Sequence, residues 1–522
     1  MAILLRKSKR YFGIGVGLMT LLLLIGCSAE ATPPDTMLVA SPNVSAPTPT
    51  STSTPTPTPK AMAAAMVEID DMAPATPTPT PTPVPLPDVC LRPQFSDDDV
   101  QCGDVPHYDL SMTISLTSSQ VFGHEEIRYT NIETTTLDEI YLRLYPNAPG
   151  YGGEMSVTTM TLRGRPVTPT MMMEETALHL PLTPALEVGE ILTMSLDYVI
   201  QVPTTGAQGH GLFSHRRGVM SLPTAYAIIP VYDAEGWHLE VAPEYADDVY
   251  ADVALYQAWI DAPADTTLIA SGTCSWLDTA QRGSGWSCEA GPMREFVVIL
   301  GDYRRISRMV DGVVINSYVY PAHEAAGQQA AQYAVDAFRA FSEHYGPYPY
   351  TELDVVETPN YLGGMEYPGL VVVEDNVYVS GTRLQWLTAH EVAHQWWFGV
   401  VGNNPINEPW LDEALTQYST MLYYEAVYGE ERAAAIRTVE FQRVHERLAR
   451  SGIDTPAGQP ASAYGPGLYW SIVYDRGALY FHNLREELGD DFFFEFLQTY
   501  YQRHRYQIAT PESFLATLED VT

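Results

Sequence analysis

With 522 residues, 46% of them hydrophobic and 11% aromatic, the chain is long enough to bury two sizeable cores even after a disordered stretch is set aside. Its 28 Lys and Arg against 64 Asp and Glu give a formal charge of -36 and a pI near 4.5. That balance excludes nucleic acid as a partner, since phosphates are repelled and no basic cluster offsets the acids. It suits a soluble secreted body, and it favours the positively charged amino termini of peptides, although net charge alone is weak evidence of substrate.

The amino terminus carries Arg6, Lys7, Lys9 and Arg10, then the apolar run Phe12 to Gly26, then Cys27. A charged flank before an apolar centre shorter than the roughly 20 residues of a bilayer span is an export signal. Leu24-Ile25-Gly26-Cys27 resembles a bacterial lipobox, in which the signal (1–26) is cut and Cys27 takes lipid. A short uncleaved anchor is the alternative. Either way the body is expected outside the cytoplasm, lipid-anchored to a bacterial membrane and touching it only through the lipid on Cys27.

From 27 to 88 Pro, Thr, Ser and Ala dominate, as in Thr76-Pro77-Thr78-Pro79-Thr80-Pro81. Such a segment buries too little apolar surface to offset its ordering entropy, so a disordered, extended tether is expected. The remaining cysteines fall in two local pairs, Cys90 with Cys102 and Cys274 with Cys288. In an oxidising compartment two disulfides are the simple reading. Zinc on these thiols is the alternative, without C-x-x-C spacing to support it.

Residues 89–315 read as an antiparallel β domain. Leu110, Met112, Ile114 and Leu116 alternate with Ser111, Thr113 and Ser115; Ile140, Leu142 and Leu144 alternate with Tyr141 and Arg143; Leu192, Met194 and Leu196 alternate with Thr193 and Ser195. Period two marks half-buried strands. Near Ala322 the texture changes. Ala325 to Tyr345 reads as a long helix stopped by Gly346 and Pro347, and a second domain is expected over 316–522.

That domain carries His390-Glu391-Val392-Ala393-His394. On a helix, histidines four apart share one face and can bind one Zn²⁺ at about 2.0 to 2.1 Å. Glu391, beside the first histidine, is placed to act as a base toward water. A third ligand is still required, with one position left open. Glu413, in Trp410-Leu411-Asp412-Glu413-Ala414, opens another helical stretch with 18 residues between it and His394. By chance the whole pattern should arise in on the order of 0.001 chains of this size.

H-E-x-x-H with a Glu 18 residues on resembles the gluzincins, and in particular the aminopeptidase-N-like family of zinc metallopeptidases. Gly363-Gly364-Met365-Glu366-Tyr367 is similar to that family's G-x-M-E-N exopeptidase motif, and Tyr474-Asp475-Arg476-Gly477 to its Y-x-K-G segment. Gly346-Pro347-Tyr348-Pro349 is similar to a family loop just upstream. The likeness covers 320–515 well and the β domain loosely. It implies a β domain followed by a thermolysin-like zincin catalytic domain of α+β type, one Zn²⁺ per chain, and peptides as substrates. By the same resemblance His390, His394 and Glu413 hold the metal and Glu391 is the general base. Tyr474 stabilises the oxyanion, and Gly363, Gly364, Met365 and Glu366 bind substrate, with Glu366 on the α-ammonium.

The chain departs from the family at Tyr367 for Asn, Arg476 for Lys, and Asp412 and Ala414 for the Asn and Gly that flank the third ligand. No acid or amide of the β domain stands out as the second partner that many relatives supply to the substrate amine. Trp396, Trp397 and Trp410 read as packing residues, and His210 and His215 as surface loop residues. The sequence stops inside an expected helix after Thr510-Pro511, as in a fragment or a minimal enzyme with an open cleft. The readings are thus a zinc aminopeptidase, a zinc endopeptidase, or a zinc-stabilised surface binding protein without turnover.

Overall fold

The computed structural model describes residues 91–95, 105–205, 210–279, 282–453 and 455–522, all within one compact unit. The signal, the tether, Cys27, Cys90 and Cys102 lie outside the described residues. No helix among the described residues is long and apolar enough to cross a membrane.

The first half is β-rich. Its largest sheet has eight strands in the order Thr273–Thr279, Gly283–Met293, Ala254–Asp261, His107–Ser115, Gln120–Thr130, Ile191–Gln201, Glu154–Leu162 and Arg165–Pro166. All neighbours are antiparallel except His107–Ser115 with Ala254–Asp261. The alternation is physical: Leu110, Met112, Ile114, Leu192, Met194 and Leu196 are buried, and the residues between them face the other side. The strand Leu137–Arg143 departs from it. Near its end both faces are covered: Tyr141 is buried against His179 and Trp237, and Arg143, over the Tyr145 ring, donates to the Glu240 carbonyl. Cys274 and Cys288 sit opposite each other in the first two strands and form a disulfide.

The second half is built on a five-stranded sheet, Arg304–Val310, Val313–Val319, Glu352–Thr358, Leu370–Glu374 and Gly364–Met365. The middle three are parallel, and the short Gly364–Met365 strand lies antiparallel at the edge. Two of these strands begin before residue 316, where the β domain was expected to end. Their alternation looked like that of the preceding strands, and only pairing decides which sheet they join. Helix α1 (Glu324–Tyr345) packs on this sheet, with Gly327 against Val319 and Ile306, sets Phe338 and Phe341 against Trp396, and ends at Gly346, whose φ of 129° an L side chain adopts only with strain. Helices α2 (Asp375–Ser380), α3 (Leu384–Ala393) and α4 (Glu413–Tyr428) follow. The expected helix after Thr510 spans Pro511–Val521 and opens with a capping box between Thr510 and Ser513. The described chain is thus a β-rich half followed by a helical, α+β half.

Candidate active site

Helix α3 is buried almost throughout, which fits its position between α1, α4 and the sheet. His390 and Glu391 lie in its last turn, and His394 is the residue that ends it. Helix α4 begins at Glu413, and Asp412 caps it by accepting the Glu413 N–H at 2.7 Å. The expected Asn is therefore replaced by another good cap. Ala414, in place of glycine, is accommodated across the helix pair by Gly477, where an added Cβ would lie 2.4 Å from the Ala414 Cβ.

The two imidazoles and the Glu413 carboxylate converge. His390 Nε2 and His394 Nε2 stand 3.4 and 3.2 Å from Glu413 Oε2. That oxygen is buried and has no hydrogen-bond partner. Ligand atoms around a tetrahedral ion with bonds of about 2.0 to 2.1 Å are separated by about 3.3 Å, so the spacing fits zinc. The far sides of the rings are held in place. His394 Nδ1 donates to the Trp397 carbonyl at 3.0 Å, with Thr416 Oγ1 at 3.2 Å, and Thr420 Oγ1 is 3.4 Å from His390 Nδ1. With Nδ1 occupied there, Nε2 is the His394 nitrogen that faces Glu413. These three buried residues form a group that could hold a metal.

The electrostatics mark the same spot. Burial lowers the pKa of His390. Burial also opposes charge on His394, but Glu366, Glu413 and Glu391 outweigh it and hold His394 above its usual range. Glu413 is driven well below the carboxylate range, since His394 and His390 overcome its burial. Burial pushes Glu391 up to about 8. A carboxyl that takes and returns a proton near neutrality is suited to general acid–base work.

The strand Gly364–Met365 runs directly over Glu391. A Cβ on Gly364 would sit 2.1 Å from Glu391 Oε1, so only glycine lets the strand pass. Gly363 has a φ of 99°, and it turns the chain into the strand. The loop before it is fixed by Asn360 Oδ1, which accepts from Leu362 and Gly363, and by Arg216, which donates to the Pro359 carbonyl at 3.0 Å. Beyond the strand, Glu366 is 4% exposed and its Oε1 has no partner. Burial, reinforced by Asp247, raises its pKa well above normal. Gln395, next to the second histidine, secures the following turn by accepting from Gly369 N and donating to the Tyr367 carbonyl.

Tyr474 lies in a π-helical stretch, Trp470–Arg476, a widened turn of the kind that re-aims a side chain. Its ring stacks on His390 with centroids 5.8 Å apart, and its hydroxyl donates to Glu413 Oε1. Arg476 points elsewhere, to the Thr455 carbonyl. A cleft of about 220 Å³ is lined by His390, Glu391, His394, Glu413, Glu366 and Tyr474, together with Gly364 and Met365. Gly363 does not line it but positions the strand that does.

Asp247 also lines this cleft and was missed by sequence reasoning. It arrives from the β-rich half, in the run Glu244-Tyr245-Ala246-Asp247-Asp248. Burial and the nearby Glu413 and Asp412 raise its pKa well above normal, and its Oδ2 has no partner. Two adjacent acids in an irregular segment were the only available signal, and such pairs are usually solvated. Trp396 and Trp397 are buried and donate to Gly346 O and Ser419 Oγ, while Trp410 packs on Phe481 and Phe514. His210 and His215 are half-buried rather than loose on the surface, and His215 hydrogen-bonds Ser119 at 2.7 Å.

Comparison with known proteins agrees with this geometry. Residues 329–522 match the profile of the Peptidase family M1 domain. The chain is 28% identical over 244 residues to Aminopeptidase M1-B of rice (Oryza sativa subsp. japonica), covering 43% of this chain and 27% of the relative. It is 28% identical over 232 residues to human Aminopeptidase N, covering 41% and 24%. The aligned region thus spans about a quarter of these relatives' length. In fold, the chain is similar to the M1 zinc metallopeptidase from Deinococcus radiodurans, with a TM-score of 0.58 at 20% identity over 80% of this chain and 90% of that one. The segment 329–522 thus matches the Peptidase family M1 domain, and the chain is similar in sequence to zinc aminopeptidases of the aminopeptidase-N-like kind and in fold to an M1 zinc metallopeptidase.

Proposed function

We propose that this protein is a zinc-dependent aminopeptidase that removes amino-terminal residues from peptides. The observation that carries the reading is Glu366, a buried carboxylate with a free oxygen, facing the same cleft as the His390, His394 and Glu413 group. His390, His394 and Glu413 would hold a zinc ion, which would supply Lewis acidity toward the scissile carbonyl and toward water. Glu391 takes the proton from water and returns it to the leaving amine nitrogen. Tyr474 swings its hydroxyl from Glu413 to the oxygen on which negative charge develops. Glu366 accepts from the substrate α-ammonium, and Asp247 opposite it is the second acceptor that the sequence left unidentified.

The edge position of Gly364–Met365 supports the reading further, because its outer backbone groups are free to pair with an extended peptide. The Deinococcus enzyme has been solved with a Tyr-Ser-Ala substrate, which is consistent with a short peptide in the equivalent cleft. We also propose export and lipid anchoring through Cys27, on the strength of the charged, apolar and cysteine sequence order. The disulfide of Cys274 with Cys288 accords with an oxidising compartment.

The test is a panel of peptides with free and N-acetylated termini, assayed with and without a zinc chelator. Cleavage of free peptides alone, abolished by the chelator, is the expected result. Equal cleavage of blocked peptides would identify an endopeptidase, and no cleavage of either would leave a zinc-stabilised binding protein.

A further inference from the structure

Helix α3 gives the 220 Å³ cleft a direction. The strand Gly364–Met365 runs along the helix: a Cβ on Gly363 would lie 3.5 Å from Leu387, one on Gly364 would meet Glu391, and Gln395 donates to the Tyr367 carbonyl just past Glu366. Glu366 therefore lies toward the carboxy-terminal end of α3, while Leu387 and Arg383 stand about one and two turns before His390, toward the other end. Arg383 is the only lysine or arginine that lines the cleft. Its exposed guanidinium lies over the Trp386 ring at 5.2 Å and 3.7 Å from Glu440 Oε2, beyond hydrogen-bonding distance, and makes no hydrogen bond among the described residues.

We propose that Arg383 receives the terminal carboxylate of a dipeptide or tripeptide, so that the protein prefers short peptides whose free carboxyl group lies close to the cleaved bond. The inference rests on the aminopeptidase reading, which sets the α-ammonium at Glu366. From there an extended peptide paired with the edge strand passes the His390, His394 and Glu413 group and runs toward Leu387 and Arg383. Arg383 begins about 10 Å before His390 along the helix, and each residue of extended chain adds about 3.3 to 3.6 Å, so its long side chain is within reach of a carboxylate one or two residues past the scissile carbonyl. A guanidinium presents a fork of donors matched to a carboxylate, and here that fork is unused. Acids at one end of the cleft and a lone cation at the other match the two charges of a short peptide. Glu440 is the competitor for Arg383, held without a hydrogen bond. Asp475, also lining this end, accepts from Gln417 at 2.9 Å and is raised by burial to about 7, which lessens its charge against a carboxylate.

The experiment measures kcat/KM on the zinc-loaded full chain for leucylglycine, leucylglycylglycine and an octapeptide with the same first residues, each as the free acid and as the carboxy-terminal amide. The acid should be favoured about 10-fold in the two short peptides, the effect of one charge-assisted pair, and less than about 2-fold in the octapeptide, whose carboxylate lies beyond Arg383 and is screened. Arg383→Met should bring the acid down to the amide, and Glu440→Gln should widen the gap by freeing the guanidinium. A short acid no better than its amide overturns the proposal, as does a gap that Arg383→Met leaves intact or one equally large in the octapeptide. If Arg383→Met does not fold, Glu440→Gln decides: a wider gap supports the carboxylate site, and an unchanged or narrower one overturns it. Should no free-amine peptide be cleaved, the aminopeptidase reading falls, and calorimetric binding of the same uncleaved pairs tests Arg383 by itself: tighter binding of the short acids supports the site, and equal binding overturns it.

Discussion

Arg294 and Glu295 are neighbours in sequence and equally buried, 1% and 2% exposed, yet they serve two different regions of the molecule. Arg294 is a staple. Its Nε donates to Phe398 O at 2.8 Å, Nη1 to Ala251 O at 2.9 Å and Nη2 to Gln507 O at 2.8 Å. It thereby ties the loop after α3, the β-rich half and the carboxy-terminal segment together, and Gly402 leaves room for its guanidinium. Glu295 points the other way, into a small pocket beside the cleft, and one of its oxygens meets nothing. A buried polar group whose hydrogen bonds are met holds structure together, whereas one left unmet costs stability.

The comparison can be broken from either side. Arg294→Met should be the most damaging to stability, since it strands three buried carbonyls; a loss of about 3–5 kcal/mol by denaturant unfolding is expected. The Cys274→Ser and Cys288→Ser double variant removes another staple, a hairpin cross-link of sequence separation 14, and should lose about 2–3 kcal/mol in the same assay. Glu366→Gln should leave the melting temperature unchanged and lower kcat/KM on free-amine peptides by about 10- to 100-fold, the value of one charge-assisted hydrogen bond.

Glu295→Gln should change stability little near pH 5, with a characteristic pH dependence above it. Burial raises the Glu295 pKa from 4.5 to about 8. Between those values the native state holds a proton that the unfolded chain has released, so wild-type stability declines as pH rises through the window. The variant should match wild type within about 1 kcal/mol near pH 5 and become the more stable of the two by pH 8. A variant that loses several kcal/mol at every pH would show that Glu295, like Arg294, is a structural group.

What the sequence revealed follows the same division. His390, Glu391 and His394 were legible because one helical turn sets their spacing, and Glu413 because it opens the next helix at a fixed distance. The long helix ending at Gly346 and the alternation at Leu110 and Leu192 were equally local signals. Asp247 and Glu295 were not legible, since they reach the cleft and the small pocket beside it only when the β-rich half packs on the second half. Glu295 lies in Arg294-Glu295-Phe296-Val297, which reads as one more strand. The strands Arg304–Val310 and Val313–Val319 gave no sign of the sheet they would join, because alternation fixes which face is buried and not which neighbour is paired.

The central claim is that Glu391 moves protons beside a metal it does not bind. The most direct measurement is the zinc content and turnover of Glu391→Gln against wild type. One zinc per chain in both proteins, with kcat lowered by about 10²- to 10⁴-fold in the variant, is the predicted result. A variant that turns over like wild type, or that loses its zinc along with its activity, would contradict it.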